Sequence, residues 1–320
     1  MLTASAIHKH LQKANKVMIV PHQNPDGDAI GSAIAFHEYV TSLKKPAVIF
    51  CVTPLNEKLA FVAQGTPVYS DPKHFSDPDI DTIVTLDSGD LRYNGIAEHV
   101  KDHPATIINI DHHATNEHFG HINLVIPTAA STTEVLFRFF RHNRVRISQK
   151  MATSLLTGLT TDTGNFTNAA TSSSALQASG ELILLGGNFN LVKSQTLKNK
   201  SVEALRLWGR AFSRLQKDER LGITHTFLTQ ADLRELGASE HEYEGISNFF
   251  NNIENTNITL LLVEKSDGTI KASFRTTRDD VDVSAIAKSF GGGGHKKAAA
   301  FSMVGTIEEI LNKVLTHGSP

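Results

Sequence analysis

The stretch Thr106-Ile107-Ile108-Asn109-Ile110-Asp111-His112-His113 decides how the chain is read. An apolar run ends abruptly in a carboxylate and two imidazoles. Successive side chains of a strand point to opposite faces, so three adjacent ionisable groups can serve one site only where the chain turns out of its strand. Taken alone, the tripeptide reads most simply as a capping Asp before two solvated histidines, because short motifs match by accident. Two further runs of the same build change that reading. Lys16-Val17-Met18-Ile19-Val20 leads into Pro21-His22-Gln23-Asn24-Pro25-Asp26-Gly27-Asp28, and Thr82-Ile83-Val84-Thr85-Leu86 leads into Asp87-Ser88-Gly89-Asp90. Ligands of open α/β sheets sit beyond the carboxyl ends of the strands. Three such strands would deliver His22, Asp26, Asp28, Asp87, Asp111, His112 and His113 to one rim.

The flanking sequence fits that frame. Ala47 to Val52 reads as another strand. Ala29 to Leu43, Ala130 to Phe140, Ser148 to Thr161 and Thr171 to Leu185 read as helices, the last closed by Gly186-Gly187. Strands separated by helices predict a parallel sheet covered on both faces. Asn190 to Lys217 reads as a polar helical connection, since it lacks the Pro/Gly/Ser bias of a flexible tether. Beyond it, Ile258 to Glu264 and Thr269 to Phe274 flank Lys265-Ser266-Asp267-Gly268, a hairpin signal. Val283 to Phe290 reads as a short helix, Gly291 to Gly294 as a flexible loop and Ile307 to Leu315 as a terminal helix. A length of 320 residues points to two domains. The expected division is 1–187, a helical connection over 188–220, and a C-terminal domain over 221–320.

Composition narrows the function. The net charge of −2 lacks the strongly basic surface that long duplex nucleic acid requires, so a nucleic-acid substrate would be short and held locally. The single Cys51 lies in an apolar run and reads as a buried structural thiol; no disulfide can form within the chain. No apolar stretch approaches the ~20 residues of a membrane span, and the N-terminus lacks a signal-peptide pattern. A reducing, cytoplasmic compartment without membrane attachment is expected. A homodimer is compatible with the sequence.

At this point the motifs carry a resemblance. His22-x-x-Pro25-Asp26-x-Asp28, Asp87 after a strand, Asp111-His112-His113 and Thr161-Asp162-Thr163-Gly164 resemble the four motifs of the DHH phosphoesterase superfamily. Gly291-Gly292-Gly293-Gly294-His295 with Ala298-Ala299 resembles the glycine-rich signature of its DHHA1 C-terminal domain. The two-domain length resembles the oligoribonuclease and pAp-phosphatase (nanoRNase) branch, to which di-adenylate phosphodiesterases are close. The resemblance implies an N-terminal parallel-sheet DHH domain, a smaller C-terminal α/β DHHA1 domain, and an active site in the cleft between them. It implies His22, Asp26 and Asp87 as ligands of one metal ion, and Asp28, Asp87, His112 and Asp162 as ligands of a second. Asp111 is then expected to orient His112, because metal-bound imidazoles need a hydrogen-bonding partner. His113 would face the substrate phosphate, and Arg275, Gly293, Gly294 and His295 would grip the part of the substrate that is not cut. Two departures, Ala300 where the signature usually ends in Gly and Asn165 where relatives often carry a basic residue, bear on substrate choice and touch no ligand.

The residue chemistry agrees. Four carboxylates converging with histidines would repel one another, and some would stay protonated unless cations neutralised them. Oxygen-rich, thiol-free ligands favour Mn²⁺, with Mg²⁺ as the alternative, over structural zinc. Two such ions suit phosphoryl transfer. The expected activity is hydrolysis of short oligoribonucleotides, linear dinucleotides such as pApA, or the 3′-phosphate of pAp. A family II inorganic pyrophosphatase shares the first four motifs but not the glycine-rich signature. A RecJ-type exonuclease is disfavoured by length. A non-catalytic nucleotide- or RNA-binding module retaining the fold would be expected to have lost a metal ligand, and none is lost.

Overall fold

The computed structural model describes residues 2–196 and 200–317. The chain divides into two compact units, Met1–Lys198 and Asn199–Pro320. In the first, six strands form one sheet: β1 (Lys16–Pro21), β2 (Ala47–Phe50), β3 (Val68–Tyr69), β4 (Ile80–Leu86), β5 (Thr106–Asp111) and β6 (Ile122–Val125). Every pairing is parallel, in the order β3-β2-β1-β4-β5-β6. The strands read as unbroken apolar runs because both faces are covered. Val17 and Ile19 enter the core shared with the helix Gly27–Ser42, while Met18 and Val20 pack with Phe50, Ile83 and Ile107 on the other face.

Register explains the rim. Pro21 pairs with Leu86, and Leu86 with Ile110, so β1, β4 and β5 end level with one another. His22, Asp87 and Asp111 therefore come off the sheet at one height. The strand order reverses between β1 and β4, and such a switch point is where open α/β sheets place their ligands.

Helix packing adds the remaining acids. The helix Gly27–Ser42 is capped by Asp26, whose Oδ1 accepts from the amides of Asp28 (2.9 Å) and Ala29 (3.0 Å). It packs on the helix Gln149–Asp162 with Gly27 against Thr161 and Gly31 against Ser154 and Gly158, so the two run antiparallel. A Cβ on Gly31 would stand 2.4 Å from the Ser154 carbonyl oxygen; the small residues allow the backbones to meet. The C-terminal residue of one helix, Asp162, thus lies beside the N-terminus of the other.

The second unit has its own six-stranded sheet. β7 (Gln216–Asp218), β8 (Ile223–Leu228), β9 (Ile258–Glu264), β10 (Thr269–Arg275), β11 (Gly293–His295) and β12 (Ala298–Val304) are ordered β11-β12-β10-β9-β8-β7. Only β8 and β9 pair in parallel. Leu260 and Leu262 face the helices Val283–Ser289 and Ile307–His317, whereas Leu261 and Val263 face the helices Val202–Ser213 and Gln230–Leu236. The hairpin over 265–268 forms, with Gly268 at φ +80°. The glycine stretch corrects the sequence reading: Gly293 and Gly294 are strand residues paired with Ala300 and Ala299, not part of a flexible loop. Glycine is needed there for closeness, since a Cβ on Gly294 would meet the Ala298 carbonyl oxygen at 2.5 Å. The segment 188–220 holds two helices: Phe189–Thr196 lies in the first unit, and Val202–Ser213 packs into the core of the second. Among the described residues no helix is long and apolar enough to cross a membrane.

Candidate metal centre

The first unit brings together His22, Asp26, Asp28, Asp87, Asp111, His112, His113 and Asp162. Asp87 is central. It follows β4 with φ +58°, a left-handed conformation that non-glycine residues adopt sparingly and that clusters at functional sites. Its two oxygens face different imidazoles: Oδ2 lies 3.6 Å from His22 Nε2, and Oδ1 lies 3.6 Å from His112 Nε2. His22 Nε2 also lies 3.8 Å from Asp26 Oδ1, and His112 Nε2 lies 3.3 Å from Asp162 Oδ2. Two sets of donor atoms, His22/Asp26/Asp87 and Asp28/Asp87/His112, each gather within 4.8 Å.

Both histidines are set for ligation by backbone. His22 Nδ1 is 2.7 Å from its neighbour's carbonyl, Gln23 O, and His112 Nδ1 is 3.3 Å from Ala129 O. A protonated Nδ1 donating to a carbonyl leaves Nε2 as the coordinating nitrogen. In both residues that atom faces carboxylates. The ring of Tyr93 stacks on His22 at 4.9 Å and holds it from one side.

Here the expected role of Asp111 is corrected. Its Oδ1 lies 2.7 Å from Nδ1 of His113, not of His112. Asp111 and its strand neighbour His112 project in different directions, so a carbonyl from Ala129 serves His112 instead.

Several contributing residues escaped sequence reading. Both oxygens of buried Asp28 accept backbone hydrogen bonds, from Thr132 N (2.6 Å) and Thr133 N (2.9 Å), at the start of the helix Thr132–His142. A helix N-terminus favours a carboxylate through its unpaired amides. The Thr132 hydroxyl donates to Asp87 Oδ1 at 2.9 Å. The available signal was Ser131-Thr132-Thr133-Glu134, a helix-start pattern that gives no hint of what the amides would bind.

The electrostatics fit a cation. Burial pushes the Asp28 carboxyl up to about 7, aided by the Asp87 charge. Burial, with Asp26 next, raises Asp87 to about 6. Burial also carries Asp162 well above the usual range, with Asp28 adding to it. For His113 burial acts downward, but the Asp111 carboxylate outweighs it and lifts the imidazole to about 9. Acids this crowded hold protons that divalent cations would displace. The oxygen- and imidazole-rich donor set, without thiolate, suits a divalent metal ion.

Arg275, Gly293, Gly294 and His295 lie in the second unit. Arg275 ends β10, with Nε donating to Asn248 Oδ1 at 3.0 Å and Nη1 to Phe274 O at 2.8 Å. Gly293, Gly294 and His295 make up β11.

The model for the DHH family, N-terminal domain, matches residues 16–159, and that for the DHHA1 domain matches residues 224–316. The bifunctional oligoribonuclease and PAP phosphatase NrnA of Thermus thermophilus is 31% identical over 305 residues, covering 93% of this chain and 88% of the relative. A probable bifunctional oligoribonuclease and PAP phosphatase NrnA of Streptococcus mutans is 26% identical over 309 residues, covering 93% of each. Among solved structures, an exopolyphosphatase-related protein from Bacteroides fragilis matches with TM-score 0.90 and 26% identity, covering 98% of this chain and 95% of that one.

Proposed function

The chain belongs to the DHH family, with a DHHA1 domain behind its catalytic half, and from this we propose a divalent-metal-dependent hydrolase of phosphoester bonds. Its substrates are short oligoribonucleotides and linear dinucleotides such as pApA, cut to mononucleotides, and pAp, which loses its 3′-phosphate. The observation that carries the reading is Asp87, whose two oxygens divide between His22 and His112. One carboxylate placed between two imidazole-bearing donor sets is what two neighbouring ions would share.

His22, Asp26 and Asp87 would hold one ion, and Asp28, Asp87, His112 and Asp162 the other. Mn²⁺ suits the donors best, with Mg²⁺ as the alternative. Such a pair of ions supplies a nucleophile at neutral pH and charge stabilisation for the phosphoryl group. The chain does the rest. Thr132 and Thr133 hold Asp28, and Thr132 holds Asp87, so both carboxylates are oriented before substrate arrives. His113, kept charged by Asp111, donates a proton to the departing ribose oxygen. Arg275, His295 and the amides of Gly293 and Gly294 bind the phosphate or base that stays intact.

A hydrolysis panel with added Mn²⁺ tests the proposal: pAp, pApA, cyclic di-adenylate, RNAs of two to twenty-four nucleotides, and pyrophosphate. Turnover is expected on pAp and on the shortest RNAs, with kcat/KM falling as the strand lengthens. A net charge of −2 and a single tryptophan do not fit the basic, aromatic-lined track that long single strands require. Cleavage of pyrophosphate alone would replace this reading with the pyrophosphatase one.

A further inference from the structure

Resting on the functional reading above, we propose that Asn116, braced by Asn109, is a positioning residue that locks the Asp111–His113 pair for proton delivery to the leaving group. Each oxygen of the buried Asp111 carboxylate has its own partner. Oδ1 meets His113 Nδ1 at 2.7 Å, and Oδ2 accepts from Asn116 Nδ2 at 2.6 Å. A carboxylate tied only to an imidazole can swing and carry the ring with it. Held at both oxygens, it keeps its plane, and His113 keeps both its tautomer and its direction.

The amide that does the holding is itself fixed. Asn116 Nδ2 also reaches Asn109 Oδ1 (2.8 Å) and the Ser88 carbonyl (3.0 Å), while its Oδ1 accepts from the His118 amide (2.7 Å). Exchanging its nitrogen and oxygen would set an acceptor against three acceptors, so only one orientation is allowed. Asn109 is wholly buried inside β5. It donates to Thr85 Oγ1 (3.1 Å) and Ser88 O (3.2 Å). A buried polar group in an apolar strand is costly unless it is satisfied, and this one is satisfied by Thr85, Ser88 and Asn116, the last of which holds Asp111. Asn109 and Asp111 stand two apart in the strand and so share a face. A fully satisfied network of this kind is rigid.

In the step this serves, hydroxide from a water that has released its proton to solvent bonds to phosphorus. The bond from phosphorus to the ribose oxygen breaks, and its electron pair stays on that oxygen. The oxygen takes the proton from His113 Nε2, which is later regained from solvent, while Nδ1–H remains on Asp111.

The test compares leaving groups on the full chain loaded with Mn²⁺. The wild type, Asn116→Ala and Asn116→Ser are assayed on pApA, whose ribose oxygen needs a proton to leave, and on p-nitrophenyl adenosine 5′-phosphate, whose nitrophenolate does not. For both variants kcat on pApA should fall about ten- to a hundredfold with KM and bound metal unchanged, while the nitrophenyl ester is cut within about twofold of wild type. Equal losses on both esters, loss of bound metal, or an unchanged rate on pApA would overturn the assignment. The serine variant keeps the comparison readable should the alanine variant not fold. A wild-type chain that cleaves neither ester would instead remove the functional reading, and this one with it.

Discussion

Gly158 faces the Asp28 carboxylate so closely that a Cβ at position 158 would stand 2.4 Å from Asp28 Oδ1. The same Cβ would lie 2.4 Å from Thr133 Oγ1. One hydrogen in place of a side chain thus leaves room for the helix start at Thr132 to clasp Asp28. Glycine inside a helix costs roughly 1 kcal/mol relative to alanine, and here that cost is outweighed by the position of a metal-site acid.

Gly158→Ala should therefore damage the site more than the fold. Overpacking is expected to cost about 1–3 kcal/mol of stability, which the gain in helix propensity of roughly 1 kcal/mol offsets only in part. Displacing Asp28 should weaken metal binding as well. Thermal unfolding and Mn²⁺ titration of the variant check both, and unchanged metal affinity would show that Asp28 does not depend on this contact.

The raised carboxyls make metal uptake pH-dependent. Without metal, Asp28 near 7 still holds a proton part of the time at neutral pH, and Asp87 near 6 takes one up as the pH falls below that. Binding must expel them, so apparent affinity should rise as pH climbs from about 5 to about 8 and then level off. Calorimetry in buffers of different ionisation enthalpy should detect protons released on binding. Affinity that is flat over this range would contradict it.

Much of this was legible in the sequence, and what was not has physical reasons. The runs ending at Val20, Leu86 and Ile110 were readable because strands covered on both faces leave an unbroken apolar signature that stops where the chemistry begins. The partner of Asp111 was not readable. Choosing between His112 and His113 depends on how the chain leaves β5 and on a carbonyl at Ala129, seventeen residues away. The amides of Thr132 and Thr133 carry no side-chain signature. A glycine run reads as loop because glycine usually signals freedom, whereas Gly293 and Gly294 pair as strand with Ala300 and Ala299, and at Gly294 the missing Cβ permits the close approach. β8 and β12 give no plain strand signal because Thr224, His225 and Ser302 interrupt their apolar pattern.

The second unit has an electrostatic brace that can be tested separately. Asp232 is buried and caps its helix together with Thr229; its oxygens take Arg214 Nη1 and Nη2 at 2.6 and 2.8 Å and Arg210 Nη1 at 2.9 Å. Burial acts to raise its pKa, but the bond from Arg214 outweighs that and holds it at about 2, below the ordinary 3.8. A depressed folded-state pKa means the stabilisation is present above the unfolded value and is lost as pH falls through about 2. Asp232→Asn should cost about 3 kcal/mol at neutral pH and flatten the acid limb of the stability curve between pH 4 and 2. Equal acid sensitivity of variant and wild type would contradict this.

The central claim, one carboxylate serving two ions, is tested most directly by counting metal on Asp87→Asn. Asparagine tolerates the left-handed backbone at this position and keeps the shape of the side chain, so the fold should persist. The wild type is expected to bind two Mn²⁺ per chain and to hydrolyse pApA. The variant, folded by circular dichroism, should bind neither ion at the same free metal concentration and should show no turnover. A variant that retains both ions and wild-type kcat, or a wild type that binds a single ion, would contradict the account.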